Sequence, residues 1–292
     1  MSTKIEWTDE TWNPVVGCQK VSEGCQNCYA EKMARRLACM GKKKYMPVVH
    51  WVNDGQPSHW TGAIQTDEAA LLVPQRWKNP RRVFVVSMGD LFYESVPFEF
   101  IDQVFAIMAL CPQHTFQVLT KRPERMREYL TTPMRLEEIY LWWNSYSGTS
   151  PEAQGWPLPN VWLGVTAENQ EQADKRIPVL LSTPAAKRFV SIEPMLGPVD
   201  LHNLGWGPHG GAVAWQNKEG RKLDWVIIGG ESGPGARPMQ ADWARSVRDQ
   251  CQAAGVPFLF KQWGGVNKKK AGRLLDGRTW DEFPDDQRKA TS

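Results

Sequence analysis

Arg82-Val83-Phe84-Val85-Val86-Ser87-Met88-Gly89-Asp90 is a short, continuous apolar run that ends in a glycine and an acid. A run of this length, rich in β-branched and aromatic residues, predicts a strand buried on both faces. The same pattern recurs down the chain. Residues 115–120 (TFQVLT) end in Lys121-Arg122-Pro123, and residues 161–165 (VWLGV) end in Thr166-Ala167-Glu168-Asn169. Residues 188–192 (RFVSI) end in Glu193-Pro194, and residues 224–228 (DWVII) end in Gly229-Gly230-Glu231-Ser232-Gly233. Residues 257–260 (PFLF) end in Lys261-Gln262-Trp263. Helical stretches fall between them, at 98–110, 123–130, from Asn169 through Leu181, and 242–254. This alternation predicts an α/β fold with a parallel sheet covered by helices. Right-handed crossovers curl such a chain toward a complete or partial (β/α) barrel, and an open doubly wound sheet is the alternative. The polar residues collect just after the strands, where barrel enzymes build their sites.

Working outward to the N-terminus, residues 4–12 read as a short first element. It leads into Asn13-Pro14-Val15-Val16-Gly17-Cys18 and then Cys25-Gln26-Asn27-Cys28-Tyr29-Ala30. Three of the six cysteines thus fall within eleven residues as C-x6-C-x2-C. Residues 19–24 are polar and end in glycine, which predicts a loop. Ala30, Met33, Ala34, Leu37 and Ala38 then follow helical spacing, with Lys32, Arg35 and Arg36 elsewhere on the helix. Three thiolates on one loop can face a single point, as a soft metal centre requires. A tetrahedral zinc or a cubane iron–sulfur cluster takes four ligands, so three cysteines leave one position open. An open position is more typical of a reacting centre than of a structural one. Other readings stay in view: disulfides, a structural zinc completed by Cys39 or His50, or inert buried thiols.

The run Asn-Pro…Gly-Cys…Cys-x-x-Cys-Tyr-Ala resembles the cluster loop of radical S-adenosylmethionine (SAM) enzymes, especially the branch containing spore photoproduct lyase. It is closer still to a phage-associated family of radical-SAM-like proteins. The usual spacing is C-x3-C-x2-C, so the six-residue first gap departs from the pattern. The resemblance implies that Cys18, Cys25 and Cys28 hold a [4Fe–4S] cluster whose fourth iron is chelated by SAM. One electron would then cleave SAM to a 5′-deoxyadenosyl radical. It also implies a partial (β/α)6 TIM-type barrel with six core strands.

Under the resemblance the strand-end groups acquire roles. Gly89 and Asp90 occupy the place of a Gly-Gly-Glu-like turn that meets the SAM amino group, with Met88 at its first position. Lys121 would balance the SAM carboxylate or the cluster's charge. Thr166 and Ser191 would hydrogen-bond the SAM ribose or carboxylate, and Tyr29 joins the cofactor-binding set. Lys121, Glu193 and Glu231 are the candidate catalytic residues, with Lys261, Gln262 and Trp263 placed to contact substrate. The plain readings are ordinary turns and a surface lysine.

Composition bounds the rest. The chain has 292 residues, 41% hydrophobic and 23% charged, as a globular protein has. Net charge is only +3, which does not by itself argue for nucleic acid. No apolar run approaches the ~20 residues that span a bilayer. With no signal segment either, the reading is cytoplasmic, meaning the host cytoplasm if the gene is phage-borne, with no membrane partner. The expected organisation is a barrel over 1–263 with insertions at 41–75, 131–160 and 203–222. Residues 264–292 then form a C-terminal hairpin cap, signalled by Asp276-Gly277, and a frayed polar tail from about residue 285. The expected function is a radical SAM enzyme that abstracts a hydrogen atom, served by an electron donor such as flavodoxin or ferredoxin. A modified nucleobase in phage DNA, or a nucleotide, suits the phage association. The lysine runs at 42–44 and 268–270 and the fifteen tryptophans are compatible with that substrate. A zinc-stabilised nucleic-acid-binding protein and a non-catalytic cluster-binding barrel are the alternatives.

Overall fold

The computed structural model describes residues 3, 5–52, 55, 57–148, 155–207, 210–212, 214–215 and 220–284. Seven strands make one sheet. They are β1 (Glu10–Trp12), β2 (Arg82–Val85), β3 (Thr115–Thr120), β4 (Val161–Thr166), β5 (Lys187–Ile192), β6 (Trp225–Gly229) and β7 (Phe258–Gln262). They follow one another in chain order, and the registers of β1–β2, β2–β3, β5–β6 and β6–β7 are parallel. The longer helices are α1 (Tyr29–Cys39), α2 (Phe98–Leu110), α3 (Pro123–Thr131), α4 (Arg135–Ser147), α5 (Gln170–Ser182) and α6 (Ala241–Ala254). The chain is therefore α/β with a parallel sheet. A doubly wound sheet reverses its strand order at a switch point, and this order has no reversal, so that alternative falls. The strand beyond the expected six is β1, at the end of what read as a lead-in. The chain divides into two compact units, Met1–Trp162 and Leu163–Ser292, with the division inside β4.

In the first unit the run that read as a strand over 82–88 stops at Val85. Val86 takes φ +58°, a left-handed backbone that a β-branched residue rarely adopts, and it is buried while doing so. Its N–H donates to the Trp12 carbonyl at 2.7 Å, which ties the bend to the end of β1. The bend swings Met88-Gly89 against the start of the cysteine loop. There Gly17 and Gly89 form a parallel bridge, and the Gly17 N–H donates to the Met88 carbonyl at 3.1 Å. Asn13 buttresses the same turn, its Oδ1 accepting from the Met88 N–H at 2.9 Å and the Ser87 hydroxyl at 3.2 Å.

The 41–75 insertion is not a loose loop. It contributes a short antiparallel pair, Val49–Trp51 with Pro57–Trp60, and a two-residue strand, Gln65–Thr66, paired with Val15–Val16. Tyr45, Val48, Val49 and Trp60 pack with Ala34 and Ala38 of α1 and with Val16 and Met88, so the insertion supplies half of a small core behind the cysteine loop. The 131–160 insertion likewise holds α4, an unforeseen helix. It is held to α2 by Arg135 Nη1 to Asp102 Oδ2 at 2.9 Å and Tyr146 hydroxyl to Gln103 Oε1 at 2.9 Å. Its residues 149–154 lie outside the described residues, as do 208–209, 213 and 216–219 of the 203–222 insertion and the tail from 285.

All six residues of β4 and all five of β6 are buried, as continuous apolar strands require. The Asp276-Gly277 turn forms as expected. Both residues have positive φ, and Leu275 pairs with Arg278, which defines a type I′ turn. The segment after it runs antiparallel along β7, with the Phe260 N–H donating to the Trp280 carbonyl at 2.9 Å and the Glu282 N–H to the Phe258 carbonyl at 3.2 Å.

Gly17 adopts φ +101°, and a Cβ there would sit 2.3 Å from the Ala63 carbonyl oxygen. Gly17→Ala is therefore expected to lower stability by about 3 kcal/mol. Denaturant unfolding would show it as a lower midpoint with an unchanged slope.

Candidate functional site

The three cysteines are positioned by different devices. Cys18 follows the Gly17–Gly89 bridge directly. Cys25 closes a short 3₁₀ turn, Glu23–Cys25, where its N–H donates to the Ser22 carbonyl at 2.9 Å. Its Sγ lies 3.9 Å from the Ser22 hydroxyl. Cys28 is the residue at which α1 begins, and the Lys32 N–H donates to its carbonyl at 3.2 Å. All three are free thiols and half-buried. Burial pushes the Cys18 thiol up to about 12, with help from Asp90, Cys28 and Cys25 and opposition from Arg122. Burial also raises Cys28, and the Glu31 and Ala30 amides and Lys121 oppose that rise. The thiols thus feel one another's charge, with two cations beside them. Among the described residues, no three His, Cys, Asp or Glu side chains are already drawn together around a common metal position.

Arg122, which the sequence reading passed over for Lys121, joins this loop to the sheet. Its guanidinium is 5% exposed. Nη1 donates to Asp90 Oδ2 at 3.2 Å and reaches Cys18 Sγ at 3.7 Å. Nε donates to Glu94 Oε2 at 2.9 Å and Nη2 to the Gln19 carbonyl at 3.0 Å, while the group stacks 4.6 Å from the Tyr93 ring centroid. Burial alone would lower its pKa, and Asp90, Cys18 and Glu94 more than reverse this, so it stays charged. A planar fork with five donors can serve four acceptors at once, as an ammonium cannot. The Lys-Arg pair ending a strand was the available signal.

Asp90 is buried and fully engaged. Oδ1 accepts from the Thr120 hydroxyl at 2.7 Å and the Phe92 N–H at 3.0 Å, and Oδ2 accepts from the Lys121 N–H at 3.0 Å as well as from Arg122. The expectation that its carboxylate meets a ligand ammonium finds those oxygens already committed to four donors. Gly89 does serve a close approach, since a Cβ there would sit 2.7 Å from the Gly17 carbonyl oxygen. Lys121, Arg122 and Arg125 line an open cleft of about 540 Å³ with Glu94, Glu124 and Glu128. Val21 of the cysteine loop lies on the same cleft. Tyr29 is 66% exposed at the start of α1.

The second unit carries the remaining candidates. Thr166 and Ser191 are buried at the ends of β4 and β5, and the Thr166 carbonyl accepts from Arg176 at 2.7 Å. Arg176 also binds Glu168 at 2.9 Å, an ion pair withdrawn from solvent. Glu231, expected to face a cavity, has both oxygens bound by Arg237: the Arg237 N–H and Nε reach Oε2 at 2.9 Å, and Nη2 reaches Oε1 at 2.6 Å. Glu193 accepts from Lys261 Nζ on both oxygens, at 2.8 and 3.0 Å, and from Gln262 Nε2 at 3.3 Å.

Fold and site together define an α/β protein whose cysteine loop follows the first strand of a parallel sheet and is locked to the ends of the next two. The chain belongs to the DUF5131 family, whose description reads "Protein of unknown function"; the family model matches residues 2–284. Neither the curated proteins nor the solved structures contain a match. No helix among the described residues is long and apolar enough to cross a membrane.

Leaving Asp90 and Glu94 without their cation, Arg122→Leu is expected to cost about 3 kcal/mol. Arg122→Lys should recover less than half of that loss, because one ammonium cannot replace the fork. Urea denaturation of the three proteins checks both outcomes.

Proposed function

We propose that this protein is a radical SAM enzyme built on a partial (β/α)6 barrel. The observation that carries the reading is the cysteine loop itself: three free, half-buried thiols after β1, with Arg122 and Lys121 as compensating cations. The donor set fits a [4Fe–4S] cluster, since soft thiolates are its ligands and nearby cations and hydrogen bonds to sulfur are the usual means of tuning it. Cys18, Cys25 and Cys28 would hold it. With SAM, such a cluster would supply one-electron cleavage of SAM and hydrogen-atom abstraction from a substrate.

This chain's own residues do the remaining work. Arg122 Nη1 beside Cys18 offsets the thiolate charge that forms on loading, and Lys121 does the same for Cys28. The adjoining cleft, about 540 Å³, is of a size for a nucleoside-bearing ligand, and its alternating charges suit a zwitterion. With Asp90 committed to its four donors, the ligand's ammonium falls to Glu94, Glu124 or Glu128 of the cleft. Glu193, which accepts from Lys261, remains a candidate catalytic residue, while Glu231, held by Arg237, shapes its loop. The proposed substrate is a modified nucleobase in DNA or a nucleotide, the electron donor a flavodoxin or ferredoxin, and the setting the cytoplasm.

The engagement of Asp90 also favours a second reading, a barrel that holds a cluster without turning over SAM. Anaerobic iron–sulfur reconstitution followed by reduction with SAM separates the readings. A brown protein with about four irons that releases 5′-deoxyadenosine supports the enzyme. A brown protein that leaves SAM intact supports the second reading, and a colourless protein holding one zinc sinks both.

Cys25→Ala is expected to lose the iron while keeping the wild-type unfolding free energy within about 0.5 kcal/mol, because the Cys25 thiol's hydrogen-bond contact, to the Ser22 hydroxyl at 3.9 Å, is a weak one. Loading should also release protons. With Cys18 raised to about 12, the thiol is protonated in the metal-free protein at neutral pH, so affinity climbs as pH rises and falls as pH drops. Iron retained per chain across a pH series reads this directly.

A further inference from the structure

The ends of β5, β6 and β7 in the second unit build a polar cluster that does not depend on the cysteine loop. Gly229 sits at its centre. A Cβ there would lie 3.3 Å from both the Glu193 carboxyl carbon and Lys261 Cβ, a tight fit, so glycine eases the reach of Lys261 across the middle strand to Glu193. The following turn is locked by two more close approaches. A Cβ on Gly230 would sit 2.0 Å from the Trp263 carbonyl oxygen, and one on Gly264 would sit 2.2 Å from the Glu231 carbonyl oxygen. Ser232 and Gly265 bridge the two turns.

A directed chain of hydrogen bonds results. Lys261 donates to Glu193, Gln262 Nε2 donates to Glu193 Oε1 at 3.3 Å, and the same Nε2 donates to Ser232 Oγ at 2.9 Å. The Glu193 carboxylate can only accept, so its contact marks this end of the amide as the nitrogen. This leaves Gln262 Oε1 as a buried acceptor with no hydrogen-bond partner, on a side chain that is 97% withdrawn from solvent. An acceptor left so is destabilising unless a donor reaches it. The Ser232 oxygen accepts from Gln262, so its own hydrogen points elsewhere. Glu193, Lys261 and Ser232, the groups around this amide, are only half-buried.

We infer that Ser232, Gln262 and Lys261 form a binding site for the lactam edge of a planar ligand, an N–H donor flanked by carbonyl oxygen. The ligand N–H donates to Gln262 Oε1, and its carbonyl accepts from the Ser232 hydroxyl or the Lys261 ammonium. Glu193 holds both the lysine and the amide in place. A ligand with the N–H blocked leaves the Gln262 acceptor unsatisfied and brings a methyl group against it. The site is a property of the second unit and requires neither iron nor SAM, so it stands or falls separately from the radical reading.

Uridine is a soluble probe with such an edge, and 3-N-methyluridine is the same molecule with the N–H replaced. Ligand-observed NMR titration of the full-length, iron-free protein compares the two. Uridine is expected to bind, and methylation at N3 to weaken binding by about tenfold or more. Gln262→Leu should lose uridine binding to the same degree while unfolding at an equal or higher temperature, because it removes an unsatisfied buried group. Ser232→Ala should weaken uridine severalfold, and it decides the matter if Gln262→Leu does not fold. Absence of uridine binding to the wild type, equal affinity for the methylated nucleoside, or undiminished binding by either variant overturns the inference.

Discussion

A guanidinium taken out of water sets the terms for the first unit. Arg122 can be buried only because Asp90 and Glu94 neutralise it and the Gln19 carbonyl takes another of its donors. Each partner comes from a different stretch: the turn after β2, the segment leading to α2, and the cysteine loop. The ends of β2 and β3 must therefore be in register before the charge is satisfied, and the loop must already lie against them. Removing Asp90, the buried carboxylate of the set, would leave a buried charge poorly compensated, a larger penalty than the pair gains in stability. The left-handed Val86 and the Gly17–Gly89 contact serve the same end. Backbone strain at a β-branched residue persists where its surroundings over-determine it, and here those surroundings place a cysteine beside an arginine.

Much of the architecture could be read in advance because continuous apolar runs have few other uses. Residues 115–120 and 98–110 came out with the expected bounds, and the Asp276-Gly277 turn formed because a type I′ turn needs positive φ at both positions. What escaped was long-range. Strand β1 is three residues long and shows itself only by pairing with β2. The 41–75 insertion looked irregular because its apolar residues answer α1 rather than each other. Helix α4 lacks a strong apolar stripe, with Ile139 and Trp143 its buried residues, and it is held to α2 by polar contacts.

The candidate site was legible at its cysteines and less so around them. Three thiols in eleven residues are visible in any reading, whereas the fate of a carboxylate depends on which donors the fold brings to it. Asp90 and Glu231 looked like open ligands, and the fold supplies their oxygens with donors, Asp90 from Arg122, Thr120 and two backbone amides, Glu231 from Arg237. Gln262, read as a substrate contact, is a buried amide whose oxygen has no hydrogen-bond partner. Charge, hydroxyl and amide side chains are all equally prominent in one dimension, and only three-dimensional accounting of donors separates those that are spent from those that are available.

The segment that pairs with β7 has a consequence for how the chain can be handled. β7 is the last strand of the sheet, and its Phe258, Leu259 and Phe260 are wholly buried. Residues 280–282 cover its outer backbone groups. A chain ended before them would present a raw apolar edge ready to recruit a neighbour's strand, the geometry from which intermolecular aggregates grow. The C-terminal residues thus act as a selvedge, keeping the sheet from being extended by a second molecule.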